Sequence, residues 1–365
     1  MRLGVEAAVV GGALVPGDVE LADGVVVGYG LAGPNGSGTA VPGFVDLQVN
    51  GFAGVDFETA DAEGYRRAGE ALLETGVTAY LPTFISAPEE DLLAALGNVP
   101  REPDPGGPRI LGVHLEGPFI SKKRLGIHPP EARRDPDPAL LERLLGAGPV
   151  RLMTLAPELP GALELVDRLC FLGVAVSCGH TDATAEEATE AFDRGALTVT
   201  HLFNAMRPFR HRDPGLAGAA LARGDVVVQI ILDGIHLAEE TARVVWQAAA
   251  GRVALVTDAV AGAGMGDGVY FLGGAEIEVR DGAARGPGDV LAGSTLTMVE
   301  AVRNLHELGI PLPEAVAAAT EAPARVLGAP GLGRLDVDLP ADLVILDDNL
   351  EIERVCIGGE ARVVA

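Results

Sequence analysis

The chain reads as an α/β protein, a (β/α)8 TIM barrel carrying a small β-sandwich domain built from both chain ends. Three observations predict this. Eight short apolar runs recur along the middle of the chain, most of them separated by amphipathic stretches, as a parallel sheet with crossover helices requires. Both ends read instead as β-segments broken by turn signals. The 365 residues exceed one ordinary domain and suit a large barrel with an appendage.

Residues 1–42 contain EAAVVGG, ALVPGDVELADG and VVVGYG, punctuated by Gly, Pro and Asp-Gly, with no helical period. Residues 336–365 return to that style, and a hairpin is expected to close at Gly358-Gly359. Neither end has strands enough for a core of its own, so the two are expected to pack together. The barrel is assigned to residues 43–335. Its strands are predicted at 43–50, 77–85, 109–117, 150–158, 174–180, 197–201, 226–234 and 253–259, and eight of them close a barrel. Helical patterns such as AEGYRRAGEALLETG, LPGALELVDRLCFLG and TAEEATEAFDRG lie between them. A doubly wound sheet is the competing architecture, but no GxGxxG opens a helix after the first strand. A β-hairpin insertion is expected near 262–292. Ser294 is expected to cap the helix that follows, and Pro313–Leu327 to form another.

Composition narrows the function. Hydrophobic residues make up 48% of the chain, enough for a large core, so disorder is not the main state. The net charge of -25 makes nucleic acid and anionic membranes poor partners. No apolar run of membrane-spanning length appears and no signal-peptide core follows Met1-Arg2, so a cytoplasmic protein is expected. Cys170, Cys178 and Cys356 lack any CxxC spacing and are expected to be buried free thiols. Against this acidic background two cationic loops stand out, Lys122-Lys123-Arg124 and Arg207/Arg210/Arg212. Each follows a strand that ends in a ligand-type residue, which predicts an anionic substrate.

The predicted strands end in Gln48/Asn50, Glu116, His180, His201, Asp233 with His236 close behind, and Asp258. Barrel active sites lie at that carboxyl face. Glu116, His180 and His201 form a carboxylate and two imidazoles, a set suited to catalytic zinc with a position left open, and other divalent ions such as iron(II) also accept it. His114 alternates with Glu116 on one strand and is expected inside the barrel, not on the metal. Asp258 is the candidate general base, taking a proton from a metal-activated water and returning it to a leaving amine. Its alternative role is to cap the following turn.

The motifs PGFVDLQVNG, GVHLEGPF, GHTDA, THLFNAM, DPGLAGA, DGIH, LVTDA and LAGSTLTM resemble, in this order, those of the N-acetylglucosamine-6-phosphate deacetylases of the amidohydrolase superfamily, over about residues 41–300. The resemblance implies hydrolysis of N-acetyl-D-glucosamine 6-phosphate to D-glucosamine 6-phosphate and acetate. It makes Glu116, His180 and His201 the metal ligands and Asp258 the acid/base. It places His128, beside Ile127, against the acetyl carbonyl, and Asn204 and Ala205 against the sugar phosphate. Arg212 clamps the phosphate, in this family often from the neighbouring subunit of a homodimer. Asp233, Gly234 and His236, with Leu291, Ala292 and Gly293, complete the sugar pocket. Many amidohydrolases carry His-x-His where this chain has Gln48 and Asn50, and no lysine near the fourth or fifth strand could bridge two ions. One divalent ion per subunit, zinc by preference, is therefore expected. A different amidohydrolase, acting on another N-acetyl amino sugar or on a cyclic amide, and a non-enzymatic sugar-phosphate sensor are the alternatives.

Overall fold

The computed structural model describes residues 1–32, 36–102 and 104–364. Eight parallel strands follow one another around a barrel: β1 (Phe44–Val49), β2 (Val77–Phe84), β3 (Val113–Glu116), β4 (Val150–Leu155), β5 (Ala175–Cys178), β6 (Thr198–Val199), β7 (Val227–Ile230) and β8 (Val253–Leu255). The ring closes where Val49 bridges Ala259 and the Asp258 N–H donates to the Gln48 carbonyl at 2.9 Å. The strands are buried on both faces because one face fills the barrel and the other receives the helices; every residue of β1 and β2 is buried, Asp46 and Gln48 included. The third predicted run is two strands. Arg109–Ile110 pairs with β2, and Gly112 then turns the chain into β3. Gly112 sits at φ +134°, and a Cβ there would lie 2.2 Å from Arg151 Cγ, so only glycine permits this step.

A helix follows each strand: α1 (Ala62–Leu73), α2 (Glu89–Asn98), α3 (Pro138–Ala147), α4 (Ala162–Phe171), α5 (Ala185–Asp193), α6 (Gly215–Ala222), α7 (Glu239–Ala249) and α8 (Met298–Glu307). Their starts follow capping chemistry. Asp61 accepts the Gly64 N–H at 2.8 Å, and Thr184 with Glu187 forms a capping box. The cap of α8 is Thr297, to whose N–H Glu300 reaches back, and not Ser294. Ser294 ties the insertion to the end of β8 instead, donating its N–H to the Asp258 carbonyl and its hydroxyl to the Thr257 carbonyl. The single helix expected over Pro313–Leu327 is broken at Thr320 into α9 (Leu312–Ala319) and α10 (Glu321–Val326). Among the described residues no helix is long and apolar enough to cross a membrane, and the three cysteines are free.

The two chain ends share one six-stranded sheet. Thr39–Pro42 runs antiparallel to Leu343–Leu346, with Ala7–Val10 and Ala13–Pro16 on one side and Ile352–Ile357 and Glu360–Val364 on the other. A hairpin of Asp18–Ala22 and Val25–Leu31 lies beside it. Leu3, Val19, Val26, Ala40 and Ile345 are buried in one cluster between these layers. The last two strands turn at Gly358-Gly359, with φ +55° and +78° as a two-residue hairpin demands.

The insertion is larger than one hairpin. Gly268–Leu272, Ala275–Arg280, Ala283–Gly286 and Val290–Leu291 form a four-stranded antiparallel sheet, because Asp281-Gly282 and Pro287-Gly288 add two turns. Its first turn is held to the loop after β1, where Asp56 Oδ2 accepts the Gly273 N–H at 2.9 Å. Glu58 lies beside it. Burial, then Asp56 and Asp91, push its carboxyl up to about 8. A carboxyl raised in the folded state contributes stability below its unfolded value, lost as pH rises through the folded one. Glu58→Gln should therefore raise Tm at pH 9, by the equivalent of about 1 kcal/mol or more, with the gain shrinking toward pH 5. Thermal melts across that range check this, and a gain that does not depend on pH refutes the linkage.

Candidate active site

The strand ends bring four sequence-distant residues to one point. Glu116 is the last residue of β3, while His180, His201 and Asp258 follow β5, β6 and β8. His180, His201 and Asp258 hold φ of +46°, +29° and +51°, left-handed backbone that non-glycine residues rarely adopt. Three such residues cost on the order of 1–3 kcal/mol each, and the barrel closure that holds them there turns their side chains inward. Glu116 Oε1 lies 2.9 Å from His201 Nε2 and 3.2 Å from His180 Nε2, with 3.1 Å between the two imidazole nitrogens. His180 Nδ1 is 2.9 Å from the Arg124 carbonyl, which can only accept, so Nδ1 carries the proton and Nε2 presents its lone pair. The ligand atoms of these three buried residues lie within 4.8 Å of one another. Burial pushes the Glu116 carboxyl up, but His180, His128 and His201 outweigh it and hold the group well below its ordinary range. A buried anion facing imidazole lone pairs fits a divalent cation.

Asp258 stands next to this group. Gln48 Nε2 donates to Asp258 Oδ1 at 3.0 Å and to Glu116 Oε1 at 3.1 Å, and Asn50 Nδ2 donates to the same Asp258 oxygen at 2.7 Å. The two amides read in the sequence as non-ligands thus hold the two carboxylates in place. Burial, then the charge of Glu116, push the Asp258 carboxyl up to about 6. His128 faces the group from the loop after β3. Its Nδ1 receives the Ser86 N–H at 3.1 Å; a backbone N–H only donates, so the ring proton is on Nε2, 3.6 Å from Glu116 Oε2. Burial, then His180, hold His128 down to about 4, so it is neutral at physiological pH. His114 stays out of the group, bonded to the Leu47 carbonyl and Thr154 inside the barrel.

A family model described as the amidohydrolase family matches residues 39–362. The chain belongs to the amidohydrolase family. It is 39% identical over 335 residues to the N-acetylglucosamine-6-phosphate deacetylase of Bos taurus, covering 87% of this chain and 82% of that one. It is 37% identical to the N-acetylgalactosamine-6-phosphate deacetylase of Escherichia coli O157:H7, over 87% and 86% of the two chains. Its fold superposes with TM-score 0.94 on the N-acetyl-D-glucosamine-6-phosphate deacetylase of Mycobacterium smegmatis, solved in complex with N-acetyl-D-glucosamine-6-phosphate, at 39% identity over 100% and 99% of the chains.

In this amidohydrolase the group opens into a cavity of about 220 Å³. Of the residues expected against the substrate, Ile127, His128, Asn204, Ala205, His236, Leu291 and Gly293 line it. Asp233 stands behind His236, 2.7 Å from its Nδ1, and orients it. Gly234 and Ala292 lie outside the lining; Ala292 is packed inside the insertion. Arg212 is exposed on the loop beyond and makes no ion pair among the described residues. Most other cations of the two predicted anion loops are engaged by the protein itself. Asp182 accepts from Lys123 at 2.9 Å and Arg124 at 2.7 Å, and Arg207 pairs with Asp213 at 2.9 Å. These side chains brace the loops and do not offer a free anion site, which short-range charge counting could not reveal. A cavity of about 430 Å³ beside α1, lined by Tyr65, Arg66, Glu102, Asp104 and Arg109 among others, is larger, but none of the residues predicted for the site lines it.

Proposed function

We propose that this amidohydrolase removes the N-acetyl group of N-acetyl-D-glucosamine 6-phosphate, giving D-glucosamine 6-phosphate and acetate. One observation carries the reading. Glu116, His180, His201, Asp258 and the His128 N–H converge on one cavity, in a chain similar over nearly its whole length to deacetylases of that substrate. Glu116, His180 and His201 would hold one divalent ion, zinc by preference for two nitrogens and a carboxylate. Bound there, it supplies a Lewis acid that lowers the pKa of a water and polarises the amide carbonyl. Asp258 takes a proton from the attacking water and delivers it to the sugar nitrogen as the C–N bond breaks. The His128 Nε2–H donates to the carbonyl oxygen as negative charge gathers on it. Gln48 and Asn50 fill the places where a second ion would need stronger ligands, so metal analysis should find one tightly held ion per chain. Two would refute this.

Arg212 meets the 6-phosphate, within one chain or across a homodimer. Arg212→Ala is expected to raise KM for the phosphorylated sugar about 10- to 100-fold, the worth of a charge-assisted hydrogen bond, and to leave the unphosphorylated sugar nearly unaffected. An unchanged preference for phosphate in steady-state kinetics refutes the assignment. The similarity to the N-acetylgalactosamine-6-phosphate enzyme supports a second reading in which the sugar is the galacto epimer. Acetate release by the metal-loaded protein from the two phosphorylated epimers, side by side, decides between them.

A further inference from the structure

The cavity has two unlike halves. After β6 and β7 come Asn204, Ala205, Ile231 and His236; across the barrel from them Ile85 follows β2, and His128 comes from the loop after β3. On that second side the wall is apolar. Ile85 and Leu272 are each at most 3% exposed, line the cavity, and share one buried cluster against which Ile127 packs. Leu272 comes from the tip of the insertion, whose turn Asp56 holds down. A Cβ added at Gly273 would lie 2.7 Å from Ile85 Cδ1, and one at Gly286 would lie 2.2 Å from Ile127 Cδ1, so the insertion's backbone presses directly on both isoleucines.

This arrangement has a chemical consequence that rests on the deacetylase reading. An amide carbonyl whose oxygen meets the His128 N–H carries two substituents on either side of that bond; the hydroxylated sugar matches the hydrogen-bonding side chains of Asn204 and His236, which leaves the wall of Ile85 and Leu272 to the acyl group. We infer that Ile85 and Leu272 form the acyl pocket and limit the group removed to acetyl. Both are held in place by the insertion. A rigid apolar wall excludes one extra methylene by about 10- to 200-fold.

The test compares kcat/KM for N-acetyl- and N-propanoyl-D-glucosamine 6-phosphate in wild type, Leu272→Ala and Ile85→Val. Wild type should favour acetyl by about 10-fold or more, and either truncation should lower that ratio several-fold or more. A loosened insertion without an acyl pocket would slow both substrates together, so the ratio separates the two causes. Wild-type indifference to chain length, or a ratio unchanged in both variants, overturns the acyl pocket while leaving the deacetylase reading intact. No release of acetate by the metal-loaded wild type overturns the deacetylase reading and the pocket with it. Ile85→Val removes a single methyl group and keeps the test usable if Leu272→Ala disturbs folding.

Discussion

Asp258→Asn is expected to lower kcat for acetate release by about 10²- to 10⁴-fold, the usual worth of a positioned acid/base, while leaving fold and metal content unchanged. The substitution is nearly isosteric. The amide oxygen can still accept from Gln48 and Asn50 at the Oδ1 position, so the contacts around the residue survive. What is lost is an oxygen that can take a proton. The pH profile gives a second readout. Burial and Glu116 raise the Asp258 carboxyl from 3.8 to about 6, whereas a bound cation nearby pulls it back down. Activity should therefore fall as pH drops through a midpoint between 3.8 and about 6, because the base must be ionised. Residual activity of the Asn variant should lack that limb. A variant retaining more than a tenth of wild-type kcat removes Asp258 from the chemistry.

Glu116→Gln should abolish tight metal binding. The carboxylate is the sole anion among the three proposed ligands, and Gln48 and His128 are arranged around its charge. Loss of supporting partners alone costs metal sites 10- to 100-fold in affinity, so loss of the ligand itself should exceed about 100-fold. Thermal melts report this without assaying catalysis. At 100 times its dissociation constant a ligand adds about 2.7 kcal/mol to stability. Added zinc should raise the Tm of the metal-free wild type and leave that of the variant unmoved. An equal rise in both would show that the ion binds elsewhere.

The legible part of the site was the part written at strand ends. Apolar runs of barrel length, each followed by an amphipathic stretch, are local patterns, so the barrel and its order could be read directly. So could Glu116, His180, His201 and Asp258, because each sits where a run stops and a barrel puts such residues at one face. The insertion exceeds one hairpin because the strands that follow Asp281-Gly282 and Pro287-Gly288, four and two residues long, are too short to show a period and pair only once the sheet has formed.

What the chain's sequence determined by itself was therefore the architecture and the convergence of Glu116, His180, His201 and Asp258 at the strand ends. Tertiary structure alone decided the tautomer of His128, set by Ser86, which lies 42 residues earlier in the chain. It also decided the grip of Gln48 on both Glu116 and Asp258, the engagement of Lys123 and Arg124 by Asp182, and the meeting of Leu272 with Ile85. The physical reason is one of range. Periodicity and strand-end position are set within a few residues, whereas a hydrogen bond between two loops exists only once barrel closure has brought their strands side by side.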